Sequence, residues 1–153
     1  MDIELDRPGL TDDVGFLLSR ASGRLVRASN AVLAGHGLRV RPWSVLVLAC
    51  DAPEGVSQRE LADVLGLDPS QIVLLVDELS AAALVERRPS PADRRNKLVL
   101  GTAAGQAVRA AAARDVELAL AAELADFSAG ERQLLQELLT RLVFGGGSPA
   151  GRG

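Results

Sequence analysis

Aromatic side chains are nearly missing from this chain: Phe16, Trp43, Phe127 and Phe144 are the whole set, and tyrosine is absent. Surfaces that stack rings on successive bases of single-stranded nucleic acid need more material, so that class is excluded. Cysteine is equally scarce. Cys50 stands alone, which rules out an internal disulfide, and with the single histidine, His36, it cannot supply the ligands of a typical zinc site. No metal and no other cofactor is expected. Long apolar runs are lacking too, the cleanest being VLVLAC at 45–50, far short of the roughly 20 residues that span a bilayer. The opening MDIELDRPGLTDD carries acids where a secretory signal has basic residues, so a cytoplasmic protein without membrane partners is expected. No Ser/His/Asp or Cys/His set appears at a suggestive spacing, and the chain does not read as an enzyme.

What is present is a 153-residue chain, 48% hydrophobic, with a formal net charge of −3, enough for one ordinary core. Residues 1–10 are expected to be flexible. Thr11 is a candidate N-cap for a long helix to about residue 35, with Val14, Leu17, Leu18, Leu25, Val32 and Leu33 at helical spacing and Arg20, Arg24 and Arg27 elsewhere on it. Pro42 suits the first position of a second helix through Ala49, which DAPEG then ends.

Residues 57–80, SQRELADVLGLDPSQIVLLVDELS, are the most informative. Ser57 and Glu60 form a capping box, Asp68 and Gln71 resemble another with Pro69 at the first helical position, and Gly66 serves the tight turn between. Leu61, Ala62 and Leu65 share a face of the first helix; Ile72, Leu75, Val76 and Leu79 share one on the second. That is the spacing of a helix-turn-helix, whose second helix lies in the major groove. Two capped helices also occur in many all-helical proteins, and the next segment distinguishes the cases. LVERR at 84–88 and KLVL at 97–100 flank PSPADRRN, the pattern of a β-hairpin with a proline-stiffened tip, and helix-turn-helix plus hairpin makes a winged helix.

Between Arg87 and Lys97 five basic residues stand against one acid, a local charge of +4 in an acidic chain. A slim, arginine-bearing tip fits a narrow minor groove, whose negative potential draws guanidinium groups in. On the second helix the spacing leaves Ser70, Gln71, Val73, Leu74, Asp77 and Glu78 outward. Ser70 and Gln71 offer hydrogen bonds, Val73 and Leu74 offer contact with thymine methyl groups, and bidentate guanine readout is unavailable. Affinity should therefore lean on wing and phosphate contacts and depend strongly on salt. Thr102 can cap an alanine-rich helix over 103–125, and Ser128 with Glu131 caps a last helix carrying Leu134, Leu135, Leu138, Leu139, Leu142 and Val143. The tail over 145–153 has no core residue and is expected to be disordered.

Residues 57–105, with GHGLRVRPWSVLVLA before them, resemble the DNA-binding lobe of the MarR (multiple antibiotic resistance regulator) family, whose wing carries an Asp-x-Arg signature, here Asp93-Arg94-Arg95. The resemblance covers nearly all of residues 11–144. It implies a mostly α fold with a small β-hairpin wing: a winged helix-turn-helix lobe over 42–101, and dimerisation helices over 11–36 and 103–144. It implies a homodimer on a palindromic operator in double-stranded DNA, acting as a ligand-responsive repressor. The DNA-facing residues would be Ser70, Gln71, Val73, Leu74, Arg87, Arg88, Asp93, Arg94, Arg95 and Lys97, with Arg95 in the groove and Asp93 positioning the wing through an ion pair or hydrogen bonds. Relatives often place threonine and arginine at positions 73 and 74 and a basic residue at 78, and here the residues are Val, Leu and Glu. The family's small effectors, often aromatic or anionic, bring forward Arg20, His36 and Trp43 as pocket candidates. Against that stand a core role for Trp43, helix-end capping by His36 and an ion pair at Arg20. Two other readings compete: a winged-helix dimerisation module without DNA binding, and a redox sensor based on Cys50. The first lacks a catalytic domain to serve, and the second has no neighbouring cation in sequence to activate the thiol, so an inert, buried cysteine is expected.

Overall fold

A computed structural model describes residues 9–145. After a short 3-10 turn at Leu10–Asp12, α1 runs from Val14 to Leu33, and a second 3-10 turn, Ala34–His36, leads to α2, Val40–Asp51. β1 (Val56–Ser57) precedes α3 (Gln58–Leu65) and α4 (Pro69–Ala81); β2 (Val85–Pro89) and β3 (Lys97–Gly101) form the hairpin; α5 (Ala103–Glu123) and α6 (Ala129–Phe144) close the chain. The mostly α winged helix-turn-helix expected from the sequence is what forms. The expectations for residues 1–10 and 145–153 fall, except for Gly9, Leu10 and Gly145, outside the described residues.

Three local expectations need correction. Thr11 does not cap α1: Asp13 does, accepting the Phe16 N–H at 2.8 Å, because the chain first makes a 3-10 turn that carries Thr11 away from the helix start. Pro42 is not the first residue of α2 but the third, still within the turn whose amides have no intrahelical acceptor; the Asn30 Oδ1 takes the Val40 N–H instead at 2.9 Å. A third strand, too short to carry a sequence pattern, adds Val56–Ser57 to the hairpin, giving the antiparallel order β1-β3-β2 with Val56 opposite Val99.

Most helix boundaries follow the sequence because their signals are local. Ser57 and Glu60 cap α3 reciprocally at 3.1 and 2.8 Å, Ser128 and Glu131 cap α6 with the same two distances, and the Thr102 hydroxyl accepts the Gly105 N–H. At α4, Pro69 takes the first position and the Gln71 side chain accepts the Asp68 N–H at 3.2 Å. The turn between α3 and α4 rests on Gly66, whose left-handed backbone (φ 63) a side chain would resist.

One core joins these elements. Leu33, Val45, Leu46, Leu61, Ile72, Val76, Leu79 and Val99 are fully buried, and they come from α1, α2, α3, α4 and β3. The start of α5 presses so closely on the hairpin root that a Cβ at Gly105 would lie 2.0 Å from the Leu84 carbonyl oxygen, so glycine alone fits there. Ala83 enters β2 with a left-handed backbone (φ 59), a conformation that costs a non-glycine residue about 1–2 kcal/mol, and the Thr102 hydroxyl donates to its carbonyl at 2.7 Å. α6 lies apart from the core: none of its residues is buried.

Candidate nucleic-acid interface

Helix α4 turns Ile72, Leu75, Val76 and Leu79 into the core and shows its other face to solvent, as its spacing predicts. Leu74 is 68% exposed and Val73 39%, and Ser70 is exposed beside them. Gln71 is half-buried, with its side-chain oxygen engaged at the helix start.

The hairpin stands beside this face. At its tip the Asp93 carboxylate accepts the Arg95 N–H at 3.0 Å and the Asp93 carbonyl accepts the Asn96 N–H at 3.0 Å, so Asp93 orders the turn through backbone hydrogen bonds rather than through an ion pair. Arg94, Arg95 and Lys97 are exposed, and among the described residues none of the three has an ion-pair or hydrogen-bond partner for its side chain. Charges left unneutralised on a short protruding tip are available to a polyanion. Arg88 is exposed but paired with Glu86, two residues away on the same strand.

Arg87 behaves differently from the other wing cations. Its Nη2 lies 2.7 Å from Asp77 Oδ1 and donates to the Val73 carbonyl at 3.3 Å, while its Nε donates to Gln58 Oε1 at 3.0 Å. The residue thus ties β2 to both helices of the helix-turn-helix, and its side chain is only 24% exposed. The second acid of α4, Glu78, is met by Arg39 at the start of α2, Nη2 lying 3.1 and 3.2 Å from the two carboxylate oxygens. Neither pairing is visible in sequence spacing, since the partners stand 10 and 39 residues apart. Between α3, α4 and the wing runs an open groove of about 600 Å³, lined among others by Gln58, Val73, Arg87, Arg95 and Lys97.

The effector candidates are not drawn into one cluster. His36 Nε2 lies 2.7 Å from Asp115 Oδ2, joining the α1–α2 connection to α5 rather than capping a helix. Trp43 is half-buried against the core, as its core reading expects. Arg20 is exposed on α1, and the ion pair falls to Arg24 instead, whose partner Glu123 holds its already high pKa higher still. Cys50 is half-buried rather than buried. Desolvation pushes its thiol above the ordinary range; Arg109, which tertiary packing brings near, pulls the other way with less effect. A raised thiol disfavours the reactive thiolate, in line with the inert cysteine expected. Among the described residues no group of three or more His, Cys, Asp or Glu is arranged to hold a metal ion.

A helix-turn-helix whose second helix shows an exposed apolar pair on its outward face, flanked by a cationic hairpin, defines the winged helix-turn-helix class of DNA-binding proteins. The MarR family profile matches residues 36–96. A MarR-family transcriptional regulator from Rhodococcus sp. RHA1 is 44% identical, with 91% of this chain and 98% of that one covered and a TM-score of 0.86. CouR from Rhodococcus jostii RHA1, in complex with p-coumaroyl-CoA, is 45% identical over 90% of this chain and 96% of its own, with a TM-score of 0.84. A transcriptional repressor CouR bound to a 23-mer DNA duplex is 29% identical over 91% and 98%, with a TM-score of 0.82. The chain belongs to the MarR family of transcriptional regulators and is not an enzyme.

Proposed function

We propose that the protein is a homodimeric repressor that holds a palindromic operator in double-stranded DNA and releases it when a small aromatic, anionic ligand binds. The observation that carries this reading is the pairing of the exposed Val73 and Leu74 on the outward face of α4 with Arg94, Arg95 and Lys97 on the wing beside it, unpaired among the described residues. In this reading Ser70, Gln71, Val73 and Leu74 meet base edges in the major groove. Arg95 enters the minor groove with Asp93 fixing its turn, and Arg88, Arg94 and Lys97 serve phosphates. Arg87, included among the DNA contacts on charge alone, acts from within as the tie between wing and helix. Dimerisation falls to the helices over 11–36 and 103–144, and the two lobes of the dimer read half-sites one helical turn apart or a multiple of it.

The DNA complex of one CouR and the p-coumaroyl-CoA complex of another, that of Rhodococcus jostii RHA1, each support one half of the cycle, and the latter suggests an acyl-CoA thioester of an aromatic acid as the effector class. Arg20, His36 and Trp43 remain the residues offered to it, with Arg20 as a cation whose side chain has no partner among the described residues. Among the described residues no helix is long and apolar enough to cross a membrane, in keeping with a cytoplasmic regulator. The test starts from duplexes selected out of a random pool. Arg95→Ala is expected to weaken binding to the selected duplex about tenfold or more, consistent with the roughly 1–3 kcal/mol of a good groove contact. Adding p-coumaroyl-CoA to the wild-type complex is expected to release the DNA, with free CoA as control. Unchanged affinity of the Arg95 variant removes the wing from the mechanism, and a complex indifferent to the thioester removes this effector class.

A further inference from the structure

A helix that reads DNA faces a polyanion, yet α4 offers it two acids, Asp77 and Glu78, and no basic residue. At about 100° per residue, these acids, three and four positions after Leu74, fall on opposite sides of that outward leucine. Each is answered by an arginine from another element, Asp77 by Arg87 of β2 and Glu78 by Arg39 at the start of α2. The two sides of the recognition helix are therefore distinct: one adjoins the wing, and the other adjoins the N-terminus of α2.

The two arginines differ in what they have left to give. Arg87 is largely enclosed and uses both Nε and Nη2 on protein partners. Arg39 is 62% exposed and engages Glu78 through Nη2 alone; among the described residues its Nε and Nη1 have no partner. We propose that Arg39 is a DNA-phosphate contact on the side of α4 away from the wing, held in place by Glu78. This assignment rests on the reading of α4 as the DNA-reading helix.

The major groove is bordered by two phosphate strands, and the wing cations lie on one side of α4 only. On the other side Arg39 is a cation tied to the helix surface itself, and its free Nε and Nη1 present N–H groups in the planar fork that matches phosphate oxygens. Glu78 then has a purpose that its charge alone would contradict: it fixes a long, flexible side chain in one orientation, while the pair removes the acid's repulsion of DNA. An exposed pair of this kind contributes little to folding, so stability does not account for it.

The experiment measures binding of the full-length protein to a mixed-sequence duplex across a range of KCl concentrations, for wild type, Arg39→Gln, Arg39→Lys and, as reference, Arg95→Ala. Removing one cation from a phosphate lowers the slope of log affinity against log salt by about 0.9, hence about twice that for a dimer. Arg39→Gln is expected to show this fall and about tenfold weaker binding at low salt, whereas Arg39→Lys keeps most of the slope because the charge remains. An Arg39→Gln slope equal to wild type overturns the proposal, whatever the affinity, since weaker binding at constant slope marks a purely positional role. If neither Arg39→Gln nor Arg95→Ala moves the slope, the DNA-reading assignment of this face fails as a whole, an outcome distinct from failure at Arg39 alone. Arg39 is exposed, so the variants are expected to fold, and a thermal melt checks this.

Discussion

Aspartate at both Leu138 and Leu142 is expected to convert the protein to a monomer and to lower operator affinity by about 100-fold or more. Helix α6 has the sequence of a core helix but buries nothing: Leu134, Leu138 and Leu142, four residues apart on one face, are 54%, 48% and 64% exposed, and Val14 and Leu17 on α1 are also uncovered. Each leucine covered by a second copy contributes roughly half of the 1.5–3 kcal/mol of a fully exposed one, about 1 kcal/mol. A two-fold axis doubles both that gain and the cost of a buried charge. Affinity follows because a dimer holds two half-sites as one event, and linked sites bind about 10²–10⁴ more tightly than either alone. Sedimentation at micromolar concentration reads the oligomeric state, and a titration of the selected duplex reads the affinity. Circular dichroism shows whether the protein stays folded, as expected because no residue of α6 is buried in the core. A double variant that still sediments as a dimer places the interface elsewhere.

Asp77→Ala gives the second large effect, and its sign discriminates between mechanisms. Removing an acid from a surface that faces DNA should tighten binding if charge were all that mattered. The geometry predicts the reverse. Asp77 holds Arg87, which also reaches Gln58 and the Val73 carbonyl, and together they fix the angle between the wing and α4. Without that tie the tip and the helix no longer fit both grooves at once, so affinity is expected to fall about tenfold, in line with the cost of small misplacements at a preorganised site. Arg87→Ala should fall equally, with the double variant no worse than either single one, because both remove the same link. The salt slope should barely change, unlike that of Arg95→Ala. Tighter binding by Asp77→Ala would make Arg87 a DNA contact after all and would discard the lock.

How much of the fold and the interface is legible in the sequence follows from the range of each interaction. Ser57 with Glu60, Ser128 with Glu131, Thr102 with Gly105, and Pro69 all act within three residues, so the sequence displays them and the helices begin where they indicate. The inward stripe of α4 and the two strands of the wing follow from periodicity in the same way. Local signals mislead where a competitor lies close by: Asp13 displaces Thr11, and Asn30 reaches across from α1 to set the start of α2 before Pro42.

The sequence by itself determined the winged lobe, the cationic tip and the outward position of Leu74, because caps, helical period and hairpin pattern are short-range. Tertiary structure alone decided which of those cations are free. Arg87 is consumed by Asp77 and Gln58, Arg39 is delivered to Glu78 from 39 residues away, and Arg94, Arg95 and Lys97 stay unpaired among the described residues. Charge counts treat these side chains as equals. Their roles separate only when packing fixes which carboxylate lies within about 4 Å of each, the range over which an ion pair forms.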